Sequence, residues 1–475
     1  MNKEFRLSPF LHIINSEGVT KDYSILYNSL SLGSVIVHKN IANSFSSLKN
    51  KKIINIDSIS KELSIPKEKE SLISELEKHH IIMPIYKNPY EDYVLASEFL
   101  KNVNIGILYL LVTDVCNCKC SYCYVENNIP SDYKYSKMTK EIAESGIEIF
   151  SNIINENNII KPKIIFYGGE PLLNFPVIES TVTQIEEKIN SQKLPKLTEK
   201  ILNTNGTLIN NDIAEFLHKN RVVVSLSLDG PEIIHNLARK YISGKGTFKD
   251  VLKGYQILKK HNVEVGISCT IGEHNIDELE TILEWIESNF SISSIGFNLL
   301  IQSNINDFNK LYQYADKAAE KLIRCFQLCR EKGIYEERIM RKVRAFVEGY
   351  ILYSDCGGCG QQIVIDPEGN IGVCHAFCGT KEFFVSETKD INFHNHQYWK
   401  EWRYRSPLVM PQCIDCIALG ICGGGCPFSA FKQKGSIWEL DEINCILSKK
   451  VTEFLLKDLM NKKIKLTGTA MCESE

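Results

Sequence analysis

Residues 113–126 read T-D-V-C-N-C-K-C-S-Y-C-Y-V-E, with Cys116, Cys120 and Cys123 in the spacing C-x3-C-x2-C. Three thiolates this close can hold three irons of a cubic 4Fe-4S cluster. The fourth iron would lack a protein ligand and stay open to a small molecule. A zinc site or a set of unrelated thiols is the alternative, and the surrounding chain decides between them. The stretch follows the apolar run I-L-Y-L-L-V (107–112), short enough for a buried strand. The thiols therefore belong on a loop at that strand's C-terminal end.

Outward from this loop, residues 105–329 alternate short apolar runs with amphipathic segments. Strands are predicted at Ile107–Val112, Lys163–Tyr167, Lys200–Asn203, Val222–Leu228, Val263–Thr270 and Ser294–Leu299. Helical patterns at Asp212–Lys219, Phe248–His261 and Asp277–Ser288 fall between them. Six β–α units predict an α/β fold, with a parallel sheet curled into a partial (β/α)6 TIM barrel. Functional groups in such barrels gather at the strand C-terminal ends, the face that carries the Cys loop.

The chain has 475 residues, 44% hydrophobic and 24% charged, a composition that suits a globular protein of about two to four domains. A formal net charge of −3 gives no electrostatic reason to expect a nucleic-acid or membrane partner. The start M-N-K-E-F-R-L-S-P-F-L-H-I-I-N has no long apolar core and no small-residue cleavage site. No apolar run is long enough to span a bilayer, so a cytoplasmic location is expected. Seventeen Cys there imply metal or redox chemistry rather than disulfides.

Further motifs fall on the same predicted face. Y-G-G-E-P (167–171) closes the second strand, T-N-G-T (204–207) the third and S-L-S-L-D-G-P (225–231) the fourth. Gly168 and Gly169 would let the backbone approach a ligand closely, and with Glu170 they offer polar groups to a cation. Together with C-N-C-K-C-S-Y-C-Y (116–124), the series resembles the radical S-adenosylmethionine (SAM) enzymes.

The resemblance implies that Cys116, Cys120 and Cys123 ligate a 4Fe-4S cluster and that Gly168, Gly169 and Glu170 bind the SAM ammonium group. It implies Tyr122 near the adenine, Ser227 on the ribose and Arg239 on the carboxylate, with Asn205 in the same cofactor-binding set. Structural roles for Asn205, Asp229 and Arg239 are the open alternative. One electron from the reduced cluster, supplied by a donor such as flavodoxin or ferredoxin, would cleave SAM. The 5′-deoxyadenosyl radical would then abstract a substrate hydrogen. Cys118 stands where the family has an apolar residue, and the spacing leaves it outside the ligand set.

A second series runs Cys356-x2-Cys359-x9-Gly369-x4-Cys374, then Cys413-x2-Cys416-x5-Cys422-x3-Cys426 and finally Cys445. Zinc ribbons also use Cys-x2-Cys, but the full series with C-G-G-G-C-P (422–427) resembles the SPASM domain. That resemblance implies two auxiliary 4Fe-4S clusters. Cys359, Cys374 and Cys426 would hold the first, with Cys356 its natural fourth ligand. Cys413, Cys416, Cys422 and Cys445 would hold the second. Without Cys356, the first would keep an open iron for a substrate thiolate. Residues 361–374 predict a hairpin turning at Pro367–Asn370, which positions Cys374. Cys269, Cys325, Cys329 and Cys378 are expected as packed apolar residues, and Cys472 is given no role.

Residues 1–95 predict a separate unit, with strands at Tyr23–Tyr27 and Ser34–His38 and helices at Ile41–Leu48, at Ser58–Leu63 and from Pro66. This order resembles the winged-helix element by which peptide-modifying enzymes capture a leader peptide at a sheet edge. A structural cap is the alternative. The expected division is 1–95, a barrel at 96–335, a SPASM domain at 336–452 and a C-terminal helix end and tail at 453–475.

Taken together, the resemblance implies a maturase that binds a ribosomal precursor peptide through its leader. Its product would be a Cys thioether of the sactipeptide or ranthipeptide kind. The competing implication is an anaerobic sulfatase maturase, which makes formylglycine. In that family an Asp base follows the Cys that matches Cys374. Here His375 stands in its place and is the possible catalytic base. A plain electron-transfer iron–sulfur protein would not need the G-G-E-P segment.

Overall fold

The computed structural model describes residues 4–16, 20–49, 51, 53–55, 68–301, 307–388 and 392–471. At the N-terminus, β1 (Glu4–Leu7), β2 (Leu11–Asn15), β3 (Tyr23–Asn28), β4 (Ser34–His38), β5 (Ile54–Asn55) and β6 (Ile82–Pro84) form two three-stranded antiparallel sheets. Their orders are β5–β1–β6 and β2–β3–β4. β3 is buried on both faces. Leu26 joins a small core with Phe5, Val37, Phe45 and Leu76, while Ile25 and Tyr27 join the main core of the chain. Alternate residues of one strand thus serve two cores, and the N-terminal unit packs against the rest of the chain.

The pattern of residues 1–95 predicts β3, β4 and the helices Lys39–Leu48 and Glu68–Lys78, but not the other four strands. β5 and β6 have two and three residues, too few to show alternation. The expected helix at Ser58–Leu63 lies outside the described residues.

β7 (Ile107–Thr113), β8 (Lys163–Gly168), β9 (Glu199–Thr204), β10 (Val222–Ser227), β11 (Val265–Ile271) and β12 (Ser294–Leu299) are parallel neighbours in chain order. Their centres bury Leu108, Leu110, Ile164, Phe166, Leu202, Val224, Leu226, Ile267 and Ile295. Helices such as Lys140–Glu156, Phe175–Asn190 and Phe248–Lys260 return the chain between strands, as parallel pairing requires. The sheet is the parallel α/β arrangement that the sequence pattern predicts.

β13 (Tyr335–Glu336) adds to β12. At the other edge β14 (Gln362–Ile365) pairs in parallel with β7, and β15 (Asn370–Gly372) and β16 (Phe384–Glu387) follow antiparallel. The expected hairpin is present, and it also extends the barrel sheet to ten strands. That junction seats Cys374 beside the first barrel strand. The C-terminal helix Glu442–Met471 lies along the helix Phe308–Lys332, with Phe454 edge-on to Phe326 and Asp458 3.0 Å from Arg330. Among the described residues, no helix is long and apolar enough to cross a membrane.

Candidate active site

The Cys loop leaves β7 and is fastened on two sides. On one, Gly169 N donates to Thr113 O (2.8 Å) and Glu170 N to Val115 O (2.9 Å). On the other, Lys119 N donates to Lys240 O (2.8 Å), Ser121 N to Ala238 O (3.0 Å) and Ile242 N to Asn117 O (3.2 Å). This packing dictates the two glycines. Gly168 sits at φ +142°, and a Cβ there would fall 1.9 Å from Thr113 O. At Gly169 a Cβ would fall 2.3 Å from Val115 O. The motif alone suggests that these glycines admit a ligand. In the structure they first admit the backbone of the Cys loop.

Glu170 is buried, and its carboxylate is already engaged. It accepts from Thr204 Oγ1 (2.6 Å), Asn205 N (2.8 Å) and Leu172 N (3.2 Å). Burial pushes its pKa up to about 7, against the pull of these donors. The side chain braces the ends of β8 and β9. Asn205 Nδ2 donates to Asn117 Oδ1 (2.8 Å) and Cys118 Sγ (3.3 Å), so Asn205 acts on the Cys loop itself. The Cys118 side chain hydrogen-bonds Cys116, which draws the Cys116 pKa down and pushes its own up.

Tyr122, Asp229 and Arg239 come together. Tyr122 donates to Asp229 Oδ2 (2.5 Å), which also accepts from Arg239 Nε (3.0 Å) and lies 3.4 Å from His274 Nε2. Arg239 stands 5.4 Å from the Tyr122 ring centroid and brings a guanidinium nitrogen to 3.9 Å from Cys120 Sγ. Burial works against the Asp229 charge. Arg239, His274 and Tyr122 nonetheless hold its carboxyl well below the usual carboxylate range. His274, which follows β11, stacks on Tyr122 with ring centroids 5.7 Å apart. It has no signal in the sequence, being one His of eleven, and the fold alone brings it to Asp229. Ser227 ends β10 and takes no part in these hydrogen bonds.

The thiols fall into three neighbourhoods. Burial raises the pKa of most of them, and members of a neighbourhood raise one another further. Cys120 and Cys123 both feel Cys116. Cys359, Cys374 and Cys426 all feel Cys356. Cys413 and Cys445 both feel Cys422, as does Cys416. Between Cys422 and Cys426, Gly423, Gly424 and Gly425 take φ of 69°, 78° and 69°, a run of left-handed backbone that side chains rarely adopt. The buried Arg405 holds it, donating to Gly424 O (2.6 Å), Glu439 O (3.1 Å) and Ile437 O.

His375 enters a box of Tyr109, Tyr124 and Tyr167. Its ring stacks on Tyr109 at 4.9 Å, and its Nε2 lies 2.7 Å from the Tyr124 hydroxyl. Burial pushes its pKa down to about 4. The sequence suggests a base poised near neutrality. The fold makes it a neutral imidazole already bound to a tyrosine.

Among the described residues, no three or more His, Cys, Asp or Glu side chains converge tightly enough for one metal ion.

A family model for the radical SAM superfamily matches residues 110–286, from β7 into the helix Leu279–Asn289. An uncharacterised protein of Methanocaldococcus jannaschii is 35% identical over 213 residues, 43% of this chain and 69% of its own. The radical SAM cyclopropyl synthase TigE of Paramaledivibacter caminithermalis is 28% identical over 74% of both chains. A cysteine-type anaerobic sulfatase-maturating enzyme of Clostridium perfringens is 28% identical over 75% of this chain and 98% of its own. Among solved structures, native anSMEcpe with bound AdoMet and Cp18Cys peptide covers 75% of this chain and 98% of its own, with a TM-score of 0.63 at 24% identity. Streptococcus suis SuiB bound to precursor peptide SuiA covers 92% of this chain and 99% of its own, with a TM-score of 0.51 at 16% identity. The family model spans β7 to β11 and the helices between them, and with the 35% identical relative it is the ground on which the chain belongs to the radical SAM superfamily.

Proposed function

We propose that this chain is a radical SAM maturase that crosslinks a ribosomally made precursor peptide, joining a Cys sulfur to a carbon as a thioether. The observation that carries this reading is the outer edge of β2. β2 is the end strand of its sheet, and His12 and Asn15 on it border a groove of about 490 Å3 with Ser46, Lys49, Ile417 and Glu453. An edge strand offers unpaired backbone groups to an extended peptide. Ile417 belongs to the loop between Cys416 and Cys422, so a leader held here would touch the cysteine array. A winged-helix recognition role for residues 1–95 is part of this reading. The fold likeness to SuiB, which extends across 92% of the chain, supports it.

In this reading Cys116, Cys120 and Cys123 hold the radical-generating 4Fe-4S cluster. Cys356, Cys359, Cys374 and Cys426 hold one auxiliary cluster, and Cys413, Cys416, Cys422 and Cys445 the other. When bound and reduced, the first cluster supplies the electron that cleaves SAM to methionine and the 5′-deoxyadenosyl radical. Asp229 fixes Tyr122 and Arg239 beside the Cys loop, where they bear on the adenine and the carboxylate. Gly168, Gly169 and Glu170 present backbone carbonyls to the ammonium group, and Ser227 is left to meet the ribose. Glu170 and Asn205 hold the strand ends and the loop in register. Tyr109, Tyr124 and Tyr167 exclude water between the loop and Cys374.

The second reading is an anaerobic sulfatase maturase, favoured by the 28% identity across nearly the whole Clostridium perfringens enzyme. One experiment separates them. The reconstituted, reduced protein receives SAM with either a Cys-containing precursor encoded beside its gene or a Cys-type sulfatase peptide. Products are weighed before and after iodoacetamide. A precursor lighter by two hydrogens with its thiol blocked is the expected thioether. The same loss with an alkylatable thiol means a carbon–carbon bond, as the name of the TigE relative suggests. Formylglycine on the sulfatase peptide beside an untouched precursor overturns the proposal. Cys120→Ala should abolish 5′-deoxyadenosine formation in every arm.

A further inference from the structure

Residues 238–249 cover the outer side of the Cys loop, held by the three backbone bonds from Lys119, Ser121 and Ile242. Their side chains divide sharply. Arg239 turns inward to Asp229 and toward Cys120 Sγ. Ile242 turns outward and is 69% exposed. Beside it, the helix Glu232–Ala238 buries His235 and Ala238 and leaves Ile233 80% and Leu237 57% exposed. Ile233 and Leu237 are one helical turn apart and share a face. Three large apolar side chains therefore stand in water on the back of the thiol loop.

Lysines border this patch. Lys119, Lys240, Lys245 and Lys249 are all exposed. The acids among them are Glu232, 3.8 Å from Lys249 Nζ, and Asp250, which accepts from the Tyr241 hydroxyl at 2.6 Å. Four cations against two engaged carboxylates leave the rim positive. Large exposed apolar side chains set among unpaired positive charges mark an interaction surface.

We infer that this patch is the docking face of a small acidic flavoprotein that passes one electron to the cluster on Cys116, Cys120 and Cys123. The inference rests on the cluster role proposed for that loop. Three features carry it. The apolar centre suits the flat edge of a flavin ring at a protein surface. The lysine rim complements acidic borders and would steer the encounter. The segment bearing both is hydrogen-bonded to the thiol loop, which shortens the path for the electron. In the transfer the flavin loses one electron and the cluster gains one, with no bond made or broken.

The test uses the full-length reconstituted holoenzyme with a purified bacterial flavodoxin, and compares the wild type with Ile233→Glu and Lys245→Glu. Affinity for flavodoxin is measured by biolayer interferometry at two salt concentrations. 5′-Deoxyadenosine formation is followed with either reduced flavodoxin or dithionite as the electron source. Each variant should bind flavodoxin at least tenfold more weakly and lose flavodoxin-driven turnover, while dithionite-driven turnover stays as in the wild type. Wild-type binding should weaken as salt rises, and that of Lys245→Glu should respond less. Unchanged flavodoxin affinity in both variants overturns the proposal, as does equal loss with both electron sources. If a 2Fe-2S ferredoxin is sensitive to the substitutions and flavodoxin is not, the flavoprotein assignment is wrong. If dithionite yields no 5′-deoxyadenosine from the wild type, the cluster role fails instead, and the binding measurement still judges the surface.

Discussion

The Tyr124 hydroxyl lies 2.7 Å from Nε2 of His375, joining the residue after Cys123 to the residue after Cys374. Two thiol groups far apart in the chain are thereby linked through one buried hydrogen bond. Tyr124 also lies 3.2 Å, oxygen to oxygen, from Tyr167, and His375 stacks on Tyr109. Tyr124→Phe keeps the ring and removes the hydroxyl, which leaves the imidazole without this partner. Stripping a buried polar group of its partner costs about 1–3 kcal/mol. The urea midpoint of the reconstituted protein should fall accordingly while iron content per chain holds. An unchanged midpoint would mean that the bond contributes nothing to holding the two loops.

Gly169→Ala tests the claim that the glycines serve the Cys loop before any ligand. The added Cβ would lie 2.3 Å from Val115 O and 2.5 Å from Val115 C, both backbone atoms that cannot rotate away. The loop has to move, and its thiols with it. We expect the variant to lose about four irons per chain, one cluster's worth, with its far-ultraviolet circular dichroism unchanged. Wild-type iron content together with lost SAM affinity would show that the glycine faces the ligand alone.

His235 contributes one part of the pH response; the buried His375, also pushed down to about 4, adds to it, and Glu170, pushed up to about 7, opposes it. The His235 imidazole is fully buried; Nδ1 accepts from Asp229 N at 3.4 Å, and Nε2 lies 2.9 Å from Thr247 Oγ1. Burial, aided by the Arg239 charge, pushes its pKa down to about 4 from an ordinary 6.5. Below 6.5 the unfolded chain takes up a proton that the folded chain refuses. Stability is therefore fully present above pH 6.5 and is lost as pH falls toward about 4. At roughly 1.4 kcal/mol per unit, about 2 kcal/mol should go between pH 6.5 and 5. Glu170 and His375 are common to both proteins, so between pH 7 and 5 the urea midpoint of the wild type should fall further than that of His235→Gln. Equal slopes in the two proteins would remove His235 as the cause.

What the sequence made legible was local and periodic. The six barrel strands announce themselves because each is a short apolar run whose pairing partners are its neighbours in the chain. The thiol spacings and strand-end motifs are legible for the same reason. The pairing of β14 with β7 is not, since it joins segments far apart in the chain and no periodicity records it. His274 on Asp229 and His375 on Tyr124 are contacts of the same kind. The environment of His375 could not be read from its type either. An imidazole suggests a base near neutrality, and burial among three tyrosines removes that property. β3 hid its double role in the opposite way. Its alternation over Tyr23–Tyr27 reads as one ordinary strand, and nothing in the residue types tells that its two faces enter different cores.

Arg405 carries the last prediction. Its guanidinium is buried and donates to Gly424 O, Glu439 O and Ile437 O, which ties the glycine run to the segment that leads into Asp441. Asp441 in turn accepts from Cys426 N at 2.8 Å. Arg405→Met keeps the aliphatic stem and leaves three carbonyls short of a donor, at about 1–3 kcal/mol each. The glycine run holds its left-handed path against a large conformational freedom, so losing this brace should release Cys422 and Cys426 together. One belongs to each C-terminal thiol neighbourhood. Both of the auxiliary clusters proposed above should therefore be lost in one substitution, while the loop at Cys116–Cys123 still loads. Iron and sulfide analysis with electron paramagnetic resonance of the reduced protein would show one remaining cluster signal that still shifts on adding SAM. Loss of a single auxiliary signal would mean that the two neighbourhoods are held independently, and Arg405 would then serve one of them alone.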